Sequence, residues 1–311
     1  MALSLVYGLI LGFSVSSGPT DQPDILSLFT TPTNPVTFDY CNVKTADWQK
    51  VALTEKLEKY SANDARQYVD QRVTTILISA AANVFTVQPS YQACKDTFKK
   101  GDQIFEAVST RVTKELKENT PSPAFKNTEI DNIKASILNA WLEDQASRLA
   151  YIELLNPETQ GSAEYWAFER AKANAVKLDG QHRQLIKKLL GTYNWIDREH
   201  FGQDTSVRAL TLIQHADAEP TFQKMALNRM KPYVENGSIS GTAYAYLWDR
   251  VAINIGTKQR YGTQPKPNCN ADGTLSIMPV EAPEKVNQLR KEIGLEPLSA
   301  QLKRLSEERC K

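Results

Sequence analysis

Apolar residues recur three or four positions apart along almost the whole 311-residue chain, and that spacing is the strongest constraint on its fold. The period marks 45–60, 63–82 and 91–118, two long stretches at 127–155 and 162–190, and shorter ones at 205–217, 219–235 and 240–255. Each predicts a helix with one face turned to a core. Asn156-Pro157 ends the first long helix and Gly191 follows the second, as helix stops do. The stretch 256–279 differs, being rich in Gly, Pro, Asn and Asp, with a turn signal at Asn270-Ala271-Asp272-Gly273. Helices at 281–293 and 297–308 close the chain. The expected class is all-α, a multi-helix bundle with at most a short β-hairpin near the C-terminal third.

Lys117-Glu118-Asn119-Thr120-Pro121-Ser122-Pro123 interrupts the period and is the best linker. It separates a helical N-terminal region, 25–118, from a helical domain, 126–311. Ahead of both, the apolar run Leu3 to Phe13 leads into Ser14-Val15-Ser16-Ser17-Gly18-Pro19. A short hydrophobic core before small residues is the pattern of a cleaved signal peptide, although no basic side chain precedes it. Residues 1–18 are read that way, the alternative being a buried N-terminal helix. The run is shorter than the roughly 20 apolar residues of a spanning helix, so no transmembrane anchor is expected. Export to the periplasm or the cell exterior follows.

Four cysteines, Cys41, Cys94, Cys269 and Cys310, fall in no Cys-x-x-Cys pair, which leaves zinc and thioredoxin-like chemistry without support. An even count in an oxidising compartment suggests two disulfides, with three connectivities open. The local pairs Cys41–Cys94 and Cys269–Cys310 are preferred; four reduced, buried thiols are the alternative. Net charge is +1, and basic residues alternate with acidic ones. Nucleic acid needs a clustered positive field, so it is not an expected partner.

Polar residues on the apolar stripes are more telling, because burying them costs free energy unless they are paired. In 127–155 the stripe runs Ile130, Ile133, Ile137 and Trp141, then Asp144 with Gln145, Arg148, Ile152 and Leu155. In 162–190 it includes Leu178, His182, Leu185 and Leu189, with Asp179 beside it. In 240–255 it runs Ala243, Leu247, Arg250 and Asn254, with Asp249 between Tyr246 and Ile253. Three helices thus turn charge inward, which suggests a polar pocket or, alternatively, buried ion pairs that fix helix register. His215, one of three histidines, is the natural candidate for a general base, the alternative being a capping or hydrogen-bonding residue at a helix end. His200 reads as exposed loop. Gln259-Arg260-Tyr261-Gly262-Thr263-Gln264 is dense in hydrogen-bonding groups around a permissive glycine, and could present Tyr261 and Gln264 to a ligand or simply pack as a turn.

Gln214-His215-Ala216-Asp217, Gln223, Leu247-x-Asp249-Arg250, Gly256, Gln259-x-Tyr261-Gly262-Thr263-Gln264, Pro279, Asn287 and Arg290-x-x-x-Gly294-Leu295 form an ordered series. With Asp144-Gln145-x-x-Arg148, Trp195 and Gly202, this series resembles a bacterial domain-of-unknown-function family, number 6624, over roughly residues 140–303. The chain departs from it at His182, where an asparagine is expected, and at Thr192-Tyr193-Asn194. The resemblance implies which residues form a set and lends no reaction.

The leading expectation is a polar pocket that takes a small or cell-envelope molecule. As an enzyme it would be a metal-independent hydrolase or group-transfer catalyst. His215 would then be the base, Asp249 its orienting carboxylate and Tyr261 a proton donor. Asp144, Arg148, Arg250, Gln259 and Gln264 would bind the ligand. No histidine pair has ligand spacing, so neither a metal nor another cofactor is expected. A non-catalytic ligand- or peptide-binding module, and a structural or interaction protein with a buried polar network, are the alternatives.

Overall fold

The helical period becomes ten α-helices among the residues that the computed structural model describes, which are 34–43, 65–121, 126, 128–155 and 159–310. They are α1 Ala65–Val87, α2 Tyr91–Asn119, α3 Glu129–Glu153, α4 Ala163–Tyr193 and α5 Arg198–Phe201. After these come α6 Gln203–Gln214, α7 Pro220–Glu235, α8 Gly241–Asn254, α9 Val286–Glu292 and α10 Leu298–Arg309. Strands β1 Pro265–Cys269 and β2 Leu275–Ile277 form the two-stranded antiparallel sheet between α8 and α9. The class is all-α with one short hairpin. The signal peptide at 1–18 and the helix expected at 45–60 lie outside the described residues.

Local chemistry sets the boundaries. Ser90 and Ser240 cap α2 and α8, their hydroxyls accepting the N–H groups of Ala93 (3.2 Å) and Ala243 (3.1 Å). Pro220 opens α7, where its missing N–H costs nothing. α6 stops at Gln214, so His215 to Asp217 form a turn beyond the helix instead of its last residues. His200 is exposed, as expected, but sits in the one-turn helix α5, which Asp197 caps through the His200 N–H (2.9 Å).

The described residues divide into two compact units. One holds 34–43, 65–121, 142–155 and 159–181; the other holds 126, 128–141 and 182–310. The chain changes unit three times: between 121 and 126, inside α3 after Trp141, and inside α4 after Gln181. Helices of 25 and 31 residues carry enough apolar positions to serve two cores.

In the first unit, Leu77, Ile78, Ala81 and Val84 of α1 bury their side chains with Tyr40 and Trp166. Phe98 and Trp166 meet edge-to-face, ring centroids 4.7 Å apart. Gly101 lets α2 approach the start of α4: a Cβ there would stand 2.6 Å from the Ala163 carbonyl oxygen. A disulfide joins Cys41, in the 3-10 turn Tyr40–Asn42, to Cys94 of α2. Ile152 and Leu155, placed on the buried stripe by period alone, are exposed instead, because inward packing along α3 ends at Ala150.

The second unit is built on Ile186, Leu190, Trp195, Leu212, Ile213, Phe222, Met230 and Leu247. α7 packs on both α6 and α8. α10 lies against the hairpin, where Ser306 Oγ accepts the Leu275 N–H (2.8 Å), and a disulfide joins Cys269 to Cys310.

Candidate functional site

In the first unit, Arg148 lies one turn beyond Asp144 on α3, so its guanidinium folds back onto that carboxylate. Nε donates to Asp144 Oδ1 (3.2 Å) and Nη2 donates to Asp179 Oδ1 of α4 (2.5 Å). Gln145 Nε2 donates to the other oxygen of Asp144 (2.6 Å). Asp144 is buried, whereas Arg148 is about a third exposed. The inward-facing charges of this unit therefore meet other side chains.

The second unit handles its buried carboxylate differently. Asp249, on the inner face of α8, is fully buried, and its partners are all main-chain groups. Oδ1 accepts the N–H groups of Arg260 (2.8 Å) and Tyr261 (3.0 Å), and Oδ2 accepts that of Thr263 (2.8 Å). The loop after α8 is thus wrapped around one anion, as successive amides can be. Gln259 closes the same loop from inside. Its Oε1 accepts the Gln264 N–H (2.7 Å), and its Nε2 donates to the carbonyls of Gln264 (3.0 Å) and Met278 (2.9 Å).

The carbonyl side of the loop faces a buried cation. Arg290 of α9 donates from Nη1 to the Tyr261 carbonyl (2.8 Å), from Nε to that of Glu296 (2.7 Å) and from Nη2 to Gln301 Oε1 (2.6 Å). Gln301 Nε2 in turn donates to the Thr263 carbonyl (3.3 Å). Burial pulls the Arg290 guanidinium below its usual range, yet an arginine stays cationic. The loop is therefore held between an anion that takes its amides and a cation that gives to its carbonyls. Gly262 sits at the bend with φ +68°, a left-handed conformation that favours glycine, while the nearby Ile277 Cδ1 could give way to a Cβ.

Arg250, the next residue on α8, points elsewhere. It makes a two-pronged contact with Asp217, Nε to Oδ1 (2.7 Å) and Nη2 to Oδ2 (2.5 Å). Asn254 and Gln223 add Nδ2 and Nε2 bonds to Oδ1 at 2.8 and 3.1 Å. Gln223 Nε2 also donates to the Ile213 and Gln214 carbonyls at the end of α6 (3.1 and 3.0 Å). Burial pushes the Asp217 carboxyl upward, but the bonds and charge of Arg250, with Asn254 and Gln223, hold it below the usual carboxylate range.

Of the residues singled out from sequence, the loop brings together Asp249, Gln259, Tyr261 and Gln264. Arg250 joins Asp217 instead, and Asp144 with Arg148 belongs to the other unit. His215 caps the end of α6, its N–H bonded to the Thr211 carbonyl (3.1 Å), and none of the bonds of Asp249 go to it. Burial raises the Tyr261 hydroxyl above its usual range; Arg260 works against that rise, and the Asp249 and Glu292 charges add to it. A cavity of about 580 Å³ opens between β2 and α10, lined by Thr274, Leu275, Leu302 and Ser306 among others, and none of the polar signature residues faces it.

Sequence reasoning left out Asp217, Gln223, Arg290 and Gln301 as members of the network. The first three stood in the ordered series and could have been added from it; Gln301, a lone glutamine on the last helix, gave no signal. The series itself has a counterpart among known proteins. Residues 164–310 match the model of a family of unknown function, DUF6624. The match begins inside α4, so Asp144-Gln145-x-x-Arg148 lies upstream of the DUF6624 segment. That segment contains the loop, both of its clamps and the Cys269–Cys310 disulfide. No curated protein and no solved structure matches the chain.

Proposed function

We propose that the DUF6624 segment is a binding module of an exported protein, and that its signature residues hold the Gln259–Gln264 loop in shape for binding without turnover. Asp249 carries this reading. A general acid or base must offer an oxygen to a substrate or to its partner base. Both oxygens of Asp249 meet backbone amides at 2.8–3.0 Å with no exposure to solvent, so none remains to orient the His215 imidazole. Gln259 and Arg290 are likewise fully engaged with main chain or with Gln301, which supports scaffolding over chemistry.

Export is the second part of the proposal. Two disulfides support it, since such bonds persist in oxidising compartments, and 1–18 would be the leader that directs it. No described helix is long and apolar enough to cross a membrane.

Asp249→Asn tests the scaffold. The amide keeps the shape but offers one acceptor in place of two and aims an N–H₂ at backbone donors. Thermal unfolding should show Tm lower by roughly 3–5 °C, the effect of about 2–3 kcal/mol in a chain of this size. Residues kept for chemistry tend to be neutral or costly to stability. An unchanged or raised Tm in Asp249→Asn would therefore sink the scaffold reading.

A further inference from the structure

Arg260 differs from the other arginines around the loop. Its backbone N–H is fixed on Asp249, which sets where its side chain leaves the loop. The guanidinium then lies over two rings, 5.6 Å from the Trp248 centroid and 5.7 Å from that of Tyr261. Tyr244 flanks Trp248 with centroids 5.8 Å apart. Arg250 is held by Asp217, Arg290 by carbonyls and Gln301, and Arg304 by Glu296 and Glu308. Among the described residues no acceptor takes a guanidinium N–H of Arg260, and none takes the Tyr244 or Tyr261 hydroxyl or the Trp248 indole N–H. Arg260, Trp248 and Tyr244 are half-buried, so these donors reach solvent.

Ring contacts occupy the faces of a guanidinium and leave free its edge, where the paired N–H donors match a planar oxyanion. The rings also restrict the side chain before any ligand arrives, which lowers the ordering cost of binding. We propose that Arg260, framed by Trp248, Tyr261 and Tyr244, receives the carboxylate of a small molecule whose apolar or ring-shaped body lies along the aromatic side chains. The proposal rests on the binding-module reading and gives it a ligand class. Carboxylate is favoured over phosphate because the surroundings are not strongly positive: Glu235 and Glu292 lie near enough to raise the hydroxyl groups of Tyr244 and Tyr261, secondary to burial. A singly charged group suits one arginine in that setting better than a dianion.

The probe is benzoate, followed through the Trp248 indole N–H resonance, which Trp248→Phe assigns. Benzoate should shift that resonance saturably at millimolar concentration. Arg260→Gln should weaken binding at least tenfold, in line with the loss of charged hydrogen bonds, and Arg260→Lys should fall between, keeping charge without the fork. Benzyl alcohol, and phosphate at matched ionic strength, should bind at least tenfold more weakly. An absent shift, equal affinity in Arg260→Gln, or tighter binding of phosphate than benzoate overturns the assignment. The variants replace a half-exposed side chain, and an unchanged Tm verifies that they fold. Failure of the benzoate arm with a destabilised Asp249→Asn removes the ligand assignment alone; an undisturbed Asp249→Asn removes the scaffold reading whatever benzoate does.

Discussion

Asp144 and Asp249 are both buried carboxylates on helices, yet the two units neutralise them by different means. In the first unit Asp144 meets Arg148 and Gln145, and Arg148 reaches on to Asp179. In the second, Asp249 meets three amides of one loop. The difference lies in what a substitution leaves behind. A side-chain partner can be exchanged for an apolar one, and buried ion pairs are often replaceable in that way. Backbone amides cannot be removed, so taking away the anion strands donors whose desolvation is then uncompensated. One arrangement ties two helices together; the other dictates the course of a chain.

That contrast can be broken by measurement. Arg290→Met removes the cation from the carbonyl side of the loop and leaves the Tyr261 and Glu296 carbonyls without their donor. Urea unfolding should show a loss of about 3 kcal/mol. Arg148→Met is the matching change in the first unit. Its guanidinium is a third exposed and Gln145 still bonds Asp144, so the loss should be only about 1–2 kcal/mol. Equal losses in the two variants would erase the distinction between side-chain and main-chain partners.

The smallest effect is expected from Asp217, whose partners are side chains and whose carboxylate is partly exposed. Its carboxyl is held below the usual range in the folded protein. Its contribution is therefore present above the unfolded value, near pH 4, and is lost as pH falls through the lower folded value. Between about pH 5 and pH 2, wild-type protein should lose more stability than Asp217→Asn. Parallel pH profiles would show that the Arg250 contact contributes nothing measurable to folding.

Much of the helical fold was legible because its causes are local. Apolar spacing, Ser90 and Ser240 as caps, Pro220 as a first residue and the Asn270–Gly273 turn each act within a few positions. The pairing of Asp144 with Arg148 could be anticipated for the same reason. The role of Asp249 could not: residue type and period place a charge on an inward stripe, but its partners are amides, which every residue carries and no spelling reveals. Arg290 stood in the ordered series, but what it binds was hidden, since it meets the loop from 29 positions away. The division of α3 and α4 between two units escaped notice because an unbroken apolar period does not say which core each turn serves.

The Cys269–Cys310 bond gives the hairpin a further property. Asn270, Asp272 and Gly273 form an exposed turn, the kind of site where proteases cut. A single cut there would leave two polypeptides, one ending just beyond Cys269 and the other carrying β2, α9, α10 and Cys310. Because the bond spans the cut, the pieces stay covalently joined, and Arg290 and Gln301 keep their places against the loop. The protein would run as one band without reductant and as two with it, nicked but entire.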